Sequence, residues 1–141
     1  RKIYIGQESP PEVMEVENGH IRAFAQAIDD PNPLWNNEAE ARKSRFGGIV
    51  APPTFLRAAR TQSLGDLPPD FPYKRLLDGG SEWEYFEPVR PGDRITAVNQ
   101  VVDIYSRSGQ LGPMIFIITE TTYTNQLGQV AATQKNTAIR Y

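Results

Sequence analysis

The apolar residues in the first third of the chain recur with the period of an α-helix. Between positions 18 and 30 they occupy one helical face, at i, i+3, i+4 and i+7, and these residues are Ile21, Phe24, Ala25 and Ile28. Asn18 precedes this face as the predicted N-cap. Pro31 ends the helix, because a proline disfavours helical geometry at the residue before it.

Two further helices are predicted before the period changes. The polar segment 36–46 begins with Asn37 and Glu40 at the spacing of a capping box. The segment 54–65 follows two prolines and ends at Gly65, and prolines favour a helix start as glycine favours a helix stop. A short alternating segment, 12–16, predicts a strand before the first helix.

From about Leu76 the apolar residues recur with a period of two, which is typical of strands. Trp83 and Tyr85 alternate with Glu82 and Glu84, so the aromatic rings are expected on one face and the carboxylates on the other. Tight turns are predicted at 90–93 and 125–128. The strands between and after these turns are predicted over 94–106, 114–124 and 129–141.

The order of elements predicts an α+β fold, in which an antiparallel β-sheet is wrapped around a central α-helix. Strands that are joined by short turns become antiparallel neighbours. One face of the sheet must be covered, and the helix over Phe55–Leu64 is the best candidate to cover it. The length of 141 residues suits a single domain over 1–141. We expect strand 114–124 to join a second sheet edge to edge, because so apolar a strand makes a poor solvent-exposed edge.

Composition excludes several classes of function. The net charge of −2 gives no basis for binding nucleic acid or a membrane surface. No apolar run is long enough for a transmembrane helix, and no cysteine is present for a disulfide or a thiolate metal site. His20 is the single histidine, so a multi-histidine metal site cannot form within one chain. We therefore expect a cytoplasmic protein without metal or cofactor.

Paired carboxylates at the end of the first helix are the first candidates for chemistry. Asp30 could act as a general base, and it also suits a helix-terminating Asp-Pro turn. Asn32 and Pro33 suit a loop in which the Asn32 side chain bonds the backbone. His20 lies in the first turn of the first helix, where a solvated or capping role is expected.

Three stretches of the chain resemble one family. The stretches "DPNPLW" (30–35), "RFGGIVAPPTF" (45–55) and "GGSEWEYFEPVRPGDRI" (79–95) are similar to those of MaoC-like hydratases and dehydratases, which have the hot-dog fold. Within that family the pattern is closest to N-terminal MaoC-like domains and to substrate-binding subunits of hydroxyacyl thioester dehydratases. The resemblance implies acyl thioesters of coenzyme A or acyl carrier protein as ligands. It also implies a homodimer, or a heterodimer with a second MaoC-like subunit.

The chain departs from the catalytic members of that family at two positions. They carry Asp-x-Asn-Pro-x-His, and here Trp35 takes the place of the histidine. An indole nitrogen donates hydrogen bonds but does not exchange protons near neutral pH, so Trp35 is expected to be a large apolar plug in the cleft or in an interface. Pro53 takes the place of the glycine whose N–H holds the thioester oxygen, and proline has no N–H. The N–H groups of Thr54 and Phe55 remain as alternative donors.

These residues leave three functions open. The chain could be a substrate-binding subunit or domain, paired with a hot-dog partner that supplies the catalytic Asp and His. It could instead be a self-sufficient homodimeric hydratase or thioesterase with Asp30 as its base. The third reading is a non-enzymatic acyl-CoA binding module. Whether the chain is an enzyme by itself therefore stays open at the level of sequence.

Overall fold

The amino-terminal elements follow the predicted periods closely. The computed structural model describes residues 4–59, 72–110 and 112–141. Strand β1 spans Glu12–Glu15, and helix α1 spans Asn18–Ala27 and buries Ile21 and Ala25. The N-cap of α1 is Glu17 rather than the predicted Asn18, and it makes no side-chain cap. A 3-10 helix, Pro33–Trp35, follows.

Helix α2 spans Glu38–Arg42, which is shorter than the predicted segment 36–46. The predicted cap at Asn37 is confirmed, because its Oδ1 accepts a hydrogen bond of 3.2 Å from the Glu40 N–H. The helix ends where Ser44 bonds back to the Ala41 carbonyl oxygen through its hydroxyl. Such side-chain bonds compete with helical bonds and favour a turn.

The predicted central helix over 54–65 differs from the structure within the described residues. The chain forms a 3-10 helix over Pro53–Ala58, and Ala59 is extended, with φ −69° and ψ 121°. The remainder of the prediction, from residue 60, lies outside the described residues. Alanine has the highest helix propensity, so local sequence does not explain the end at Ala58. Phe55 and Leu56 nevertheless point into the core, each with 2% of its surface exposed.

Four long strands follow, all paired antiparallel. They are β2 (Leu76–Tyr85), β3 (Arg94–Gly109), β4 (Gly112–Thr124) and β5 (Val130–Arg140). The order across the sheet is β1-β3-β4-β5-β2. The α+β prediction is confirmed, since an antiparallel sheet packs on the helical elements of the first half of the chain.

The prediction that strand 114–124 forms a sheet edge is wrong. Strand β4 is paired on both sides, with β3 and with β5, because the 125–128 turn returns the chain alongside it. Among the described strands, β1 and β2 lie at the two edges of the sheet, and β2, the longer of them, pairs with β5 alone. Strand β2 is also the most exposed strand, and Leu76 and Tyr85 remain 58% and 48% exposed.

The core lies between one face of the sheet and the helices, and we call that face the inner face. Ala97, Tyr123 and Ala132 are aligned across β3, β4 and β5 on this face, and all three are buried. The helical side contributes Ile21 and Phe55. Deletion of any of these apolar side chains would leave a void, which makes this layer the main source of stability.

Candidate functional site

The paired carboxylates Asp29 and Asp30 form the turn that ends α1. Asp29 adopts a left-handed backbone, with φ 54°, and its N–H donates to the Gln26 carbonyl oxygen at 3.1 Å. The Asp30 N–H reaches back to the Ala25 carbonyl oxygen at 2.9 Å. These bonds satisfy the last carbonyls of the helix, as in common C-terminal caps. The predicted helix-terminating turn is therefore present.

The side chains of this turn bond the backbone of the next loop. Asp30 Oδ1 accepts from the Asn32 N–H at 3.1 Å, and Asn32 Oδ1 accepts from the Leu34 N–H at 3.0 Å. Asn32 thus bonds the backbone, as predicted. One oxygen of the Asp30 carboxylate is engaged in holding the loop that carries Trp35.

Trp35 is almost fully enclosed. Only 8% of its surface is exposed, and it packs within the main core cluster. Its indole N–H is buried, and no partner for it lies among the described residues. The indole therefore occupies this position mainly as a large apolar group.

Trp35 and Pro53 line one cavity of about 460 Å³. The cavity is formed by four segments, and its other walls are mostly apolar: Leu34, Phe46, Val50, Ala51, Leu56, Phe86, Pro88 and Val89. Arg45 and Glu87 contribute charge, and the Arg45 guanidinium lies 4.8 Å from the centre of the Phe46 ring. We call this space the apolar cavity. Its volume and lining match those of small-molecule sites in general.

The six predicted site residues do not meet in one place. Asp30 lines a different cavity, of about 380 Å³, together with Arg22 and Gln26. Phe55 is a core residue, and its ring meets Phe24 edge to face at 5.5 Å. Asn32, Thr54 and Phe55 line neither cavity.

The possible oxyanion donors at the second 3-10 helix are also restricted. The Phe55 N–H already donates to the Pro52 carbonyl oxygen at 2.9 Å. Thr54 lies in the first turn, where N–H groups lack an intrahelical partner, so its N–H is the one that could serve a ligand. Pro53, the first residue of this helix, has no N–H, so Thr54 is the first residue of the helix that has one.

Among the described residues, the titratable side chains that line the apolar cavity are Arg45, Tyr85 and Glu87, and no histidine lines it. His20 is exposed on α1, 3.6 Å from a Glu17 carboxylate oxygen, which agrees with its predicted solvated role. Burial raises the pKa of the Tyr85 hydroxyl at the cavity wall, so this group stays protonated at neutral pH. No cluster of metal-ligating side chains occurs in the part of the chain that is described.

Sequence comparison places the chain in a family. A family model described as the FAS1-like dehydratase domain region matches residues 4–134. The chain belongs to this family. One relative, the UPF0336 protein of Streptomyces avermitilis, is 33% identical over 111 residues, which are 75% of this chain and 74% of that protein. The probable enoyl-CoA hydratase alpha subunit of Thermomonospora curvata is 30% identical over 138 residues, which are 86% of this chain and 43% of that protein.

Solved structures confirm the MaoC-like hot-dog fold. The ChsH1–ChsH2 complex from Mycobacterium tuberculosis matches with a TM-score of 0.82 at 23% identity, over 95% of this chain and 84% of the matched one. A MaoC-like dehydratase from Rhodospirillum rubrum matches with a TM-score of 0.74 at 23% identity, over 99% of this chain and 93% of the matched one. Among the described residues, no helix of this MaoC-like chain has the length and apolar character needed to span a membrane.

Sequence reasoning missed most walls of the apolar cavity. Leu34, Val50 and Leu56 were assigned to no site, because each is an ordinary apolar residue of a helix or loop. Tyr85 is predicted on the aromatic face of a strand, because Trp83 and Tyr85 alternate with two glutamates. This alternation is the sequence signal that could have indicated an aromatic wall of the cavity. Four separate segments of the chain form this cavity, and no local sequence pattern indicates that they would meet.

Proposed function

We propose that this chain is the substrate-binding half of a MaoC-like acyl thioester hydratase or dehydratase, and that a second hot-dog subunit supplies the catalytic Asp and His. The observation that carries the proposal is the burial of Trp35, at the histidine's position, beside an apolar cavity. The site keeps a space suited to an acyl group and has a tryptophan where the catalytic members of the family carry the histidine.

Hydration of an enoyl thioester shows what the partner must provide. A base removes a proton from water, the water oxygen attacks the β carbon, and the α carbon receives a proton. The thioester oxygen gains negative charge during this step and needs donors aimed at it. In the apolar cavity of this chain, Trp35 cannot accept the proton and Pro53 cannot donate to the oxygen.

A self-sufficient homodimer with Asp30 as base has less support. One Asp30 oxygen accepts the Asn32 N–H, which stabilises the loop. Asp30 also lines a cavity that neither Trp35 nor Pro53 lines. A base must come within hydrogen-bond reach of the water that it activates beside the bound thioester.

Hydration of crotonyl-CoA tests the proposal. We expect the purified chain alone to turn over far below a typical enzyme rate of roughly 10 per second. Mixing it with a MaoC-like subunit that retains the histidine should raise the rate of that subunit by about 100-fold, since correct placement of the substrate is worth that order of rate. Asp30→Asn in this chain should leave the rate of the complex unchanged. A fast rate for the isolated chain that Asp30→Asn abolishes would show that the proposal is wrong.

The free edge of β2 is the surface where we place the partner. Glu82 and Glu84 lie on the outer face of this edge, with Lys135 beside Glu82 on β5. Two copies that pair antiparallel about Glu82, Trp83 or Glu84 place carboxylates directly opposite each other, because facing residues share a side of the sheet. Like charges in that position are destabilising, so a different subunit with a neutral or basic edge is favoured over a second copy.

Charge reversal on β2 should therefore change self-association. A mixture of wild type with the Glu82→Lys, Glu84→Lys double variant should associate about 3- to 10-fold more tightly than either protein alone, because opposite charges then face each other. Sedimentation at low and high salt measures this, and high salt should remove the gain.

The matched control reverses two carboxylates of α2, Glu38→Lys with Glu40→Lys, which are exposed and lie outside the sheet. The net charge changes equally in the two double variants. An equal gain with the α2 variant, or no gain with the β2 variant, would contradict the placement of the partner at β2.

A further inference from the structure

The inner face of the sheet changes from apolar to polar along its strands. The row nearest α1 is apolar and aromatic: Ala97, Tyr123, Ala132 and Tyr85. The next two rows carry mostly amides and hydroxyls: Asn99, Thr121, Gln134 and Trp83, then Val101, Thr119, Asn136 and Ser81. The inner face of a sheet of this kind is ordinarily apolar, so this polar surface needs a reason.

The polar side chains bond one another in a consistent direction. Tyr123 Oη donates to Gln134 Oε1 at 3.3 Å, Gln134 Nε2 donates to Ser81 Oγ at 3.3 Å, and Ser81 Oγ donates to Asn136 Oδ1 at 3.0 Å. Beside this chain, Thr121 Oγ1 donates to Asn99 Oδ1 at 3.3 Å. These bonds use the side-chain oxygens of Asn99, Gln134 and Asn136, and they do not use the amino groups of Asn99 and Asn136.

These side chains line a cavity of about 320 Å³, which we call the polar cavity. Arg57 and Asp78 are its two charged residues. The Asp78 carboxylate is partly engaged, because its Oδ1 accepts the Gly80 N–H at 2.9 Å. Burial raises the pKa of Tyr123 to about 12, although the Arg57 charge acts to lower it, so the phenol stays a donor at neutral pH. The donors that the cavity offers to a ligand are the Arg57 guanidinium and the amino groups of Asn99 and Asn136.

The polar cavity adjoins the apolar cavity. Tyr85 lines the apolar cavity and Tyr123 lines the polar one, and Trp83 stacks on both with 5.8 Å between ring centroids in each pair. The second 3-10 helix joins them as well, since Leu56 lines the apolar cavity and Arg57 the polar one. One elongated ligand could contact both.

We propose that the polar cavity binds an oxygen-bearing part of the acyl group, so that the ligands of this chain are acyl thioesters with a hydroxyl, keto or carboxylate oxygen far from the thioester. This inference rests on the proposed function. A plain hydrocarbon chain would displace water from Arg57 and from the amino groups of Asn99 and Asn136. Their hydrogen bonds to water would be lost without replacement, which is costly. An oxygen atom on the acyl chain would accept hydrogen bonds from these groups in place of water.

Three coenzyme A thioesters of equal chain length test the inference: octanoyl-CoA, 8-hydroxyoctanoyl-CoA and suberyl-CoA. Calorimetry on the full chain should show about 10-fold or tighter binding of the two oxygenated ligands, which is the worth of one good hydrogen bond to a polar or charged group. Equal affinity for all three would overturn the inference while leaving the proposed function in place. Failure of all three to bind would overturn both.

Variants locate the preference in the polar cavity. Asn136→Leu should remove most of the preference, because it weakens the binding of both oxygenated ligands and lowers the cost of binding octanoyl-CoA. Arg57→Gln, at an exposed position where folding is not at risk, should reduce the preference for suberyl-CoA and spare that for 8-hydroxyoctanoyl-CoA. Gln100→Leu is the matched control, because it removes an amide from β3 next to Asn99 but on the outer face. A loss with Gln100→Leu equal to that with Asn136→Leu would contradict the assignment.

Discussion

Phe55→Ala is expected to lower the free energy of unfolding by about 3–5 kcal/mol, the range for truncating a buried aromatic ring. Phe55 is 2% exposed, and its ring packs edge to face on Phe24 across the contact between the second 3-10 helix and α1. For a chain of this size the melting temperature should fall by roughly 10 °C or more. Calorimetry or denaturant unfolding measures the loss.

Thr54→Ala is the control for Phe55→Ala. Thr54 is exposed in the same turn, so its truncation should change the free energy of unfolding by no more than about 0.5 kcal/mol. A similar small effect for Phe55→Ala, combined with weaker acyl-CoA binding, would show that Phe55 serves the ligand rather than the core.

Trp35→His is expected to restore the family motif in sequence without restoring activity. The buried indole is larger than an imidazole, so a void remains and the free energy of unfolding should fall by about 1–3 kcal/mol. The imidazole would be loosely held, and Asp30 lines another cavity, so the acid–base pair would not assemble. Crotonyl-CoA hydration should rise little, by less than about 10-fold.

The companion to Trp35→His is the double variant with Pro53→Gly, which returns an N–H to the start of the 3-10 helix. It should gain more turnover than Trp35→His alone, because one oxyanion donor is worth about 100-fold in rate. If Trp35→His alone gave a fast hydratase with an unchanged melting temperature, Trp35 would be a single lost position in an otherwise complete active site, and the plug interpretation would be wrong.

Local patterns predicted the parts of the site that local forces build. The turn at Asp30 and Asn32 was predicted because aspartate and asparagine bond nearby backbone, and the structure shows both bonds. The absence of a proton shuttle at Trp35 was predicted because it follows from the indole itself. Which of these residues share a cavity was not predictable, since Trp35 and Pro53 meet only after the loops fold together.

The sequence by itself determined the order and type of most elements, because periods of 3.6 and of two are properties of neighbouring residues. It also determined the chemistry that Trp35 and Pro53 exclude. Only the tertiary structure decided that the helix after Pro53 is a 3-10 helix ending at Ala58, and that β4 is interior while β2 is the free edge. Only the tertiary structure aligned Asn99, Gln134 and Asn136 on one inner face. These features depend on contacts between strands that are far apart in the chain, where hydrogen bonding and burial override the preferences of each segment.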